Sequence, residues 1–217
     1  ALLPECWRVL GWLVVLLAGG TLLAADAQPD ARVDELFGVA RHKPRDRAEE
    51  YTLEKPGQFL FVGDRLRTLT NSHATVWLRE RNPIKLGPKS VLELTAPPGQ
   101  DSLWLNLLRG TLYFFSREKP RDVQVRTPHG TGAHAGTEFV VIVEDQRTLL
   151  AVYDGEASLT NDHGGVELKA GELGVARDGV KPVKMELKAA NIIEWWLFYP
   201  AVLDAEDLNF TPAERAE

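Results

Sequence analysis

Short apolar runs alternate with turn residues from Gly57 to about Pro182, and this rhythm limits what the chain can fold into. In ATVWLRE, for example, Ala74, Val76 and Leu78 fall on one face of an extended strand. The runs recur about every 8–12 residues, and no stretch keeps a helical period for more than about three turns. Turn signals separate them at Gly63-Asp64, Asp154-Gly155, Gly164-Gly165 and Asp178-Gly179. The pattern predicts an all-β sandwich, roll or solenoid of roughly ten or more short strands.

The composition is that of an ordinary globular chain with an acidic balance. The sequence has 217 residues, of which 44% are hydrophobic and 26% charged, and this is enough apolar matter for one core. The formal net charge is -6 at pH 7. Proteins that bind polyanions non-specifically are usually basic, so we do not expect a nucleic-acid partner.

An uncharged apolar run over residues 9–25 precedes the β region. Arg8 stands before the run, and an A-x-A pattern after it ends at Ala27. We expect residues 1–27 to be a signal peptide that is cleaved after Ala27. The alternative is an uncleaved N-terminal anchor, attached to the membrane through residues 9–25. With either outcome, the rest of the chain is expected to be periplasmic or secreted.

Cys6 is the only cysteine, and it lies before the apolar run. A chain cleaved after Ala27 would therefore have no disulfide and no thiol chemistry. Secreted eukaryotic domains of this size usually carry disulfides, so their absence favours a bacterial periplasm.

Two segments of different character flank the β region. Residues 28–56 contain a short strand, predicted around Leu36–Ala40, and a charged loop, RHKPRDRAEE, that we expect to be solvated surface. Residues 57–183 form the predicted β domain. Residues 184–217 combine an aromatic linker, NIIEWWLFYP, with the start of a helical region, because Thr211 and the residues after it have the pattern of a helix N-terminus. We expect the aromatic linker to dock on the β domain.

The segment TPHGTGAHAGTEF, residues 127–139, allows three interpretations. His129 and His134 are possible metal ligands, but the glycines between them give no helical spacing, and a closed zinc site needs four ligands. The glycines suggest a phosphate cradle, but a strand follows rather than a helix, and no lysine is placed as in a P-loop. The third interpretation is a connection between two strands with both histidines facing solvent, after which Phe139, Val141 and Val143 point inward.

No catalytic constellation stands out in the sequence. The serines lie in no G-x-S-x-G elbow. Glu93 and Asp101 are conceivable as a glycosidase pair, but Glu93 alternates with leucines and is expected to be an outward strand residue. Trp77 or Trp104 is a candidate for an exposed binding face, whereas most other aromatic side chains are expected in the core. We therefore expect neither an enzyme nor a bound cofactor or metal.

Several ordered motifs run through the β region and together span about residues 57–176. They are VGDRLRTLTNSHATVWLRERNPIKLGPKSVLEL, VRTPHGTGAHAGTEFVVIV, VYDGEASLTN and VELKAGE. In this order they resemble the FecR domain family of bacterial envelope proteins. The resemblance implies an all-β, FecR-like β-solenoid or sandwich-like roll without catalysis. The family usually has an arginine before the glycine at Gly136, expected to tie the loop down by charge-assisted hydrogen bonds, and this chain has Ala135.

The resemblance also implies a protein-interaction or signalling module of the bacterial cell envelope that binds an envelope protein. The best-known members join a cytoplasmic anti-sigma domain, through one membrane helix, to a periplasmic FecR domain. Only residues 1–8 precede the apolar run here, so we expect the secreted kind without that cytoplasmic domain. The tail also resembles the segment that joins FecR domains to tetratricopeptide arrays, and such repeats are expected C-terminal to this chain.

Two other functions stay open at this point. One is an envelope glycan-binding or glycan-processing β protein, and the other is the N-terminal scaffold part of a longer helical-repeat protein. For the interaction module, the candidate partner-binding residues lie in the segment 127–139 and in the aromatic tail. They are His129, His134, Thr137, Glu138, Trp195, Trp196 and Tyr199.

Overall fold

The structure, a computed structural model, describes residues 28–79, 82–96, 103–116, 123–134 and 138–186. The regular structure within these ranges is β-strand, so the predicted all-β class is confirmed. The described part of the chain contains no helix long and apolar enough to cross a membrane. The predicted signal peptide and the predicted helical tail lie outside the described residues.

Seventeen strands follow one another in the described part of the chain, in line with the predicted rhythm of short runs. They are β1 (Ala31–Phe37), β2 (Ala40–Lys43), β3 (Tyr51–Leu53), β4 (Phe59–Leu60), β5 (Arg65–Thr68), β6 (His73–Leu78), β7 (Asn82–Leu86), β8 (Val91–Thr95), β9 (Leu103–Phe115), β10 (Val123–Thr127), β11 (Gly130–His134), β12 (Glu138–Val143), β13 (Thr148–Asp154), β14 (Glu156–Asn161), β15 (Gly164–Lys169), β16 (Glu172–Arg177) and β17 (Val180–Glu186).

The strands form two sheets that share β9. Sheet A has the order β4-β1-β6-β7-β9-β12-β13-β16-β17. Sheet B has the order β3-β2-β5-β8-β9-β10-β11-β14-β15. Neighbouring strands are antiparallel, except that β10 runs parallel to β9. Because β9 belongs to both sheets, the hydrogen-bonded network is continuous.

The chain alternates between the two sheets in short hairpins. After β9, the hairpins β10–β11, β12–β13, β14–β15 and β16–β17 fall in sheets B, A, B and A in turn. Each hairpin therefore adds two strands to one layer before the chain crosses to the other. This winding is the sandwich-like roll that the sequence predicted, and the predicted turn signals lie at or within two residues of the observed connections.

Gly110 is the point at which β9 passes from one sheet to the other. The strand pairs with β8 and β10 before it, and with β7 and β12 after it. Gly110 has a φ of 90°, and a Cβ there would lie 2.5 Å from the Cα of Ser90. The buried Ser90 hydroxyl accepts a hydrogen bond from the Thr111 N–H at 2.9 Å. The crossover therefore requires glycine.

The two sheets enclose one apolar core. The cluster of buried residues contains side chains from both layers, and Gly132 of sheet B lies close to Leu150 of sheet A, since a Cβ on Gly132 would be 3.5 Å from Leu150 Cδ2. The inward-facing sets that alternation predicted are all buried: Ala74, Val76, Leu78, Phe139, Val141 and Val143. Alternation thus gave the correct face for these strands.

The segment 28–56 contributes three strands and is built into both sheets. β1 pairs with β4 and β6 in sheet A, and β2 pairs with β3 and β5 in sheet B. The strand predicted around Leu36–Ala40 is wrong, because a turn with Gly38 at a φ of 75° separates β1 from β2 there. The Val39 N–H donates to the Ser72 hydroxyl at 2.9 Å, which fixes this turn against the start of β6.

Candidate partner-binding surface

Residues 127–134 form a hairpin turn followed by a strand, so the strand connection is the interpretation observed there, except that His129 is buried. β10 ends at Thr127 and β11 begins at Gly130, and these two residues pair across the turn. A Cβ on Gly130 would lie 2.7 Å from the carbonyl oxygen of Thr160 on the neighbouring β14. The glycine therefore permits close backbone approach between strands.

His129 lies inside this turn and is 6% exposed. Its Nδ1 is 3.1 Å from the Thr148 hydroxyl, which in turn donates to the Thr127 hydroxyl at 2.8 Å. Thr127 donates to the carbonyl oxygen of Gly130 at 2.7 Å. The chain of hydrogen bonds ties the β10–β11 turn of sheet B to β13 of sheet A. The expectation that His129 faces solvent is wrong, because its ring satisfies a buried polar site.

The structure describes only some of the other predicted partner-binding residues. His134 ends β11, where its backbone pairs with Ala157, and Glu138 begins β12. Thr137, together with Ala135, lies outside the described residues. So do the three aromatic residues of the tail, Trp195, Trp196 and Tyr199. Partner binding at these positions stays a prediction.

Glu138 is the centre of a small polar cluster on the outer face of sheet A. The Tyr113 hydroxyl donates to its Oε1 at 2.8 Å, and Tyr153 lies near the same carboxylate. Burial, followed by the hydrogen bond to Glu138, raises the pKa of Tyr113 far above its usual range. Burial and the Glu138 charge also raise the pKa of Tyr153. Both phenols therefore stay protonated at neutral pH, and Tyr113 acts as a hydrogen-bond donor to Glu138.

An exposed aromatic ring adjoins this cluster. Phe115, the last residue of β9, pairs directly with Glu138 across the strands and is 37% exposed. The pair presents an apolar ring next to a carboxylate at the point where the chain passes from β11 in sheet B to β12 in sheet A. Aromatic residues are enriched in protein interfaces relative to the rest of the protein surface.

Sequence reasoning missed a buried chain of ionisable groups, because it placed RHKPRDRAEE entirely on the surface. His42 and Asp64 are 2% and 3% exposed, and His42 Nε2 donates to Asp64 Oδ2 at 2.9 Å. Tyr51 donates to the other ring nitrogen. The Asp64 carboxylate also accepts the backbone N–H groups of Arg45 at 2.9 Å and Phe61 at 3.0 Å.

This chain of groups serves the fold, since His42 and Asp64 are buried, Tyr51 is half-buried, and all three are hydrogen-bonded to one another or to the backbone. Burial, followed by the charge of Asp64, raises the pKa of Tyr51, whereas Arg47 lowers it. The carboxylate joins β2, the loop after it and the turn before β5. The glycine-aspartate pair Gly63-Asp64 was visible in the sequence as a turn signal, but its buried histidine partner had no local signal.

Two other residues that the sequence suggested for catalysis or binding, Glu93 and Trp104, are engaged with neighbouring side chains. Glu93 forms an ion pair with Arg65, with 2.7 Å between Arg65 Nε and Glu93 Oε1, and Asp101 lies outside the described residues. Trp104 is half-buried, and the guanidinium carbon of Arg126 stands 3.4 Å from its ring centroid. Among the described residues, no group of three or more His, Cys, Asp or Glu side chains is placed to hold a metal ion.

Taken together, the fold and these contacts define an all-β module of two hairpin-built sheets whose buried ionisable groups are hydrogen-bonded internally. The family model described as FecR protein matches residues 64–158. The match covers less than half of the chain, and over this region the resemblance stated from the sequence is confirmed. The match begins at Asp64 and ends within β14.

Solved structures support the same fold. Two crystal structures, at 2.50 and 1.65 Å resolution, of "a putative anti-sigma factor from Parabacteroides distasonis ATCC 8503" align with a TM-score of 0.51 and 18% sequence identity. The alignment covers 61% of this chain and 63% or 64% of the other, so the chain spans less than two thirds of the structures it matches. No curated protein matches the sequence.

Proposed function

We propose that this protein is a non-catalytic FecR-domain module that binds a protein partner in the bacterial cell envelope. The observation that carries the proposal is the FecR domain at residues 64–158. The likeness in fold to a protein described as an anti-sigma factor supports a signalling or regulatory role. The apolar run at residues 9–25 supports the extracytoplasmic location.

The contacts of the ionisable groups support a binding role over catalysis. A general acid or base needs access to a substrate and a pKa suited to proton transfer. His42 and His129 are buried and hydrogen-bonded, and Glu138 accepts from a phenol that stays protonated. Each of these groups joins neighbouring strands, which is what a rigid binding platform requires.

Glu138 and Phe115 are the described residues that best fit the partner surface. They face outward side by side on sheet A, and Tyr113 fixes the carboxylate with a hydrogen bond. A partner donor group would find the carboxylate already oriented, and an apolar partner side chain would cover the exposed ring.

A capture experiment with the full chain tests this proposal. Bait protein carrying Phe115→Ser is compared with wild type and with Phe37→Ser in a pull-down from bacterial envelope extract, read by mass spectrometry. Phe37 is a matched control, because it is 63% exposed on β1 of the same sheet but several strands away. We expect a protein that wild type and Phe37→Ser retain and Phe115→Ser loses. An identical set of captured proteins for all three, or none for any, would contradict the proposal.

A further inference from the structure

The outer face of sheet A is apolar over its last four strands, β12, β13, β16 and β17. Cross-strand pairing sets two rows of outward side chains next to each other on this face. They are Val140, Ala151, Leu173 and Met185 in one row, and Ile142, Leu149, Val175 and Val183 in the other. These eight residues are called the outer patch below.

The burial of the outer patch resembles that of a covered surface. Val140, Ala151 and Val175 are 3%, 7% and 5% exposed, although none of them belongs to the core between the sheets. On the edge strand β17, Val183 and Met185 remain 49% and 53% exposed. Antiparallel sheets with one solvated face normally alternate apolar and polar residues, and β12, β13 and β16 do not.

The outer face of sheet B provides the contrast. Thr131 pairs with Thr160 there, and Ser158 lies on the same face and donates to a neighbouring backbone carbonyl. Further along the same face, Arg65 and Glu93 form an ion pair. Along each strand, the polar residues of this face alternate with buried residues, as expected for a sheet with one solvated face. The apolar outer patch is therefore a property of sheet A and not of the hairpin winding itself.

The course of the chain indicates what covers the outer patch. The described strands all belong to sheets A or B, and sheet B lies against the inner face of sheet A, so no described strand crosses the patch. The chain leaves sheet A at Glu186, one residue after Met185 at the margin of the patch. The sequence then continues into IIEWWLFYPAVL, residues 192–203, in which Glu194 is the only charged residue.

The connection between β17 and residues 192–203 is long enough for this segment to reach the outer patch. Residues 187–191 lie between β17 and this segment, and five extended residues span at most about 17 Å. Four neighbouring strands measure about 14 Å from first to last. The segment therefore has the reach to lie over any of the four strands without unpairing β17.

We propose that residues 192–203 pack on the outer patch of the same chain as an internal cover. The cover removes the exposed edges of Val183 and Met185 from water and gives the tail aromatic rings an apolar partner surface. Trp195, Trp196 and Tyr199, which the sequence suggested as partner contacts, then belong to the domain's own packing. The assignment does not depend on the Phe115–Glu138 surface.

Limited proteolysis of the full chain tests the proposal, because chymotrypsin cuts after Trp, Phe and Tyr. Val183→Asp places a charge in the outer patch at a half-exposed position, and Thr160→Asp places the same charge on the outer face of sheet B. We expect cleavage within residues 195–199 to be at least about ten-fold faster in Val183→Asp, because proteolysis follows the population of the open form. Thr160→Asp is expected to match wild type. Equal cleavage in all three proteins would overturn the proposal.

A second measurement guards against a general loss of stability in Val183→Asp. The double variant Trp195→Asp, Trp196→Asp changes only the tail, and it is expected to increase binding of the dye ANS, because the outer patch becomes exposed. Unchanged dye binding would overturn the internal cover. The alternative occupant of the outer patch is a second copy of the chain, and light scattering would detect the resulting dimer. A dimer that loses its protection from chymotrypsin on dilution would overturn the proposal.

Discussion

Asp64 is the residue at which separate parts of the chain are joined by one carboxylate. It accepts from the ring of His42 and from the backbone N–H groups of Arg45 and Phe61. Replacing it in Asp64→Ala leaves these donors without a partner in a buried site. We expect the free energy of unfolding to fall by about 3 kcal/mol, measured by urea denaturation.

Asp34 offers a matched control for this change. It pairs with Arg32 at 2.8 Å, and its side chain is 37% exposed. Exposed ion pairs contribute little, so Asp34→Ala is expected to change the free energy of unfolding by less than about 1 kcal/mol. Equal losses for both variants would contradict the role given to Asp64.

His73 makes the stability of the fold depend on pH. It stacks on Phe37 with 4.8 Å between ring centroids. Burial, and then the charge of Lys85, lower the pKa of His73, whereas Glu35 raises it. The unfolded chain therefore binds a proton more readily than the folded one near the ordinary histidine pKa of about 6.5. The stabilising contribution is complete above that pH and is lost as the pH falls through the folded pKa.

His73→Phe removes the titration but keeps a ring to stack on Phe37. We expect the wild-type free energy of unfolding to fall more between about pH 7 and pH 5 than that of the variant, as measured by urea denaturation at each pH. The same decrease in both proteins would show that other groups cause the dependence.

Single residues also show where sequence reasoning stops. Charged residues flank His42, whereas a proline and a glycine flank His129, and both local patterns are typical of solvent-facing loops. Their burial comes from partners distant in sequence, Asp64 for one and Thr148 for the other. Such contacts depend on how hairpins stack between sheets, which local composition does not encode.

Among the strands, β9 is the one that links the two layers, and its crossover at Gly110 is open to a direct test. In Gly110→Ala, the positive φ costs about 1–2 kcal/mol, and the contact with Ser90 adds about 1–3 kcal/mol of overpacking. Gly57→Ala is the control, since Gly57 has a φ of 99° with nothing within 4 Å of a Cβ. We expect Gly110→Ala to lower the melting temperature clearly more. Equal shifts would mean that the Ser90 contact relaxes.

Strand periodicity predicted which side chains of β6 and β12 face the core, because each residue step reverses the face. Strand periodicity did not predict that Val140, an outward side chain of β12, is also buried. The runs EFVVIV and TLLAV are apolar at consecutive positions, and that is the signal of a strand covered on both faces. The outer patch was therefore visible in the sequence, whereas its position at one end of sheet A follows only from the strand order.

The whole molecule is larger than the region matched by the family. Residues 64–158 end within β14 and exclude β1 and β2, which pair with β6 and β5, and they also exclude β16, which pairs with β13. A fragment limited to 64–158 would leave these central strands with open hydrogen-bonding edges and an uncovered core. We expect it to aggregate or to unfold without a cooperative transition, whereas residues 28–186 unfold cooperatively in calorimetry. A cooperative transition in the short fragment would contradict this view.

The strand order of sheet A also fixes the distance between β1 and β17 across the sheet. The chain enters this sheet at β1 and leaves it at β17, and seven intervals between neighbouring strands separate the two. At about 4.8 Å for each interval, the entry and exit strands stand roughly 30 Å apart across the sheet. Because every interval is fixed by backbone hydrogen bonds, the domain acts as a stiff spacer between the strand where the chain enters and the strand where it leaves.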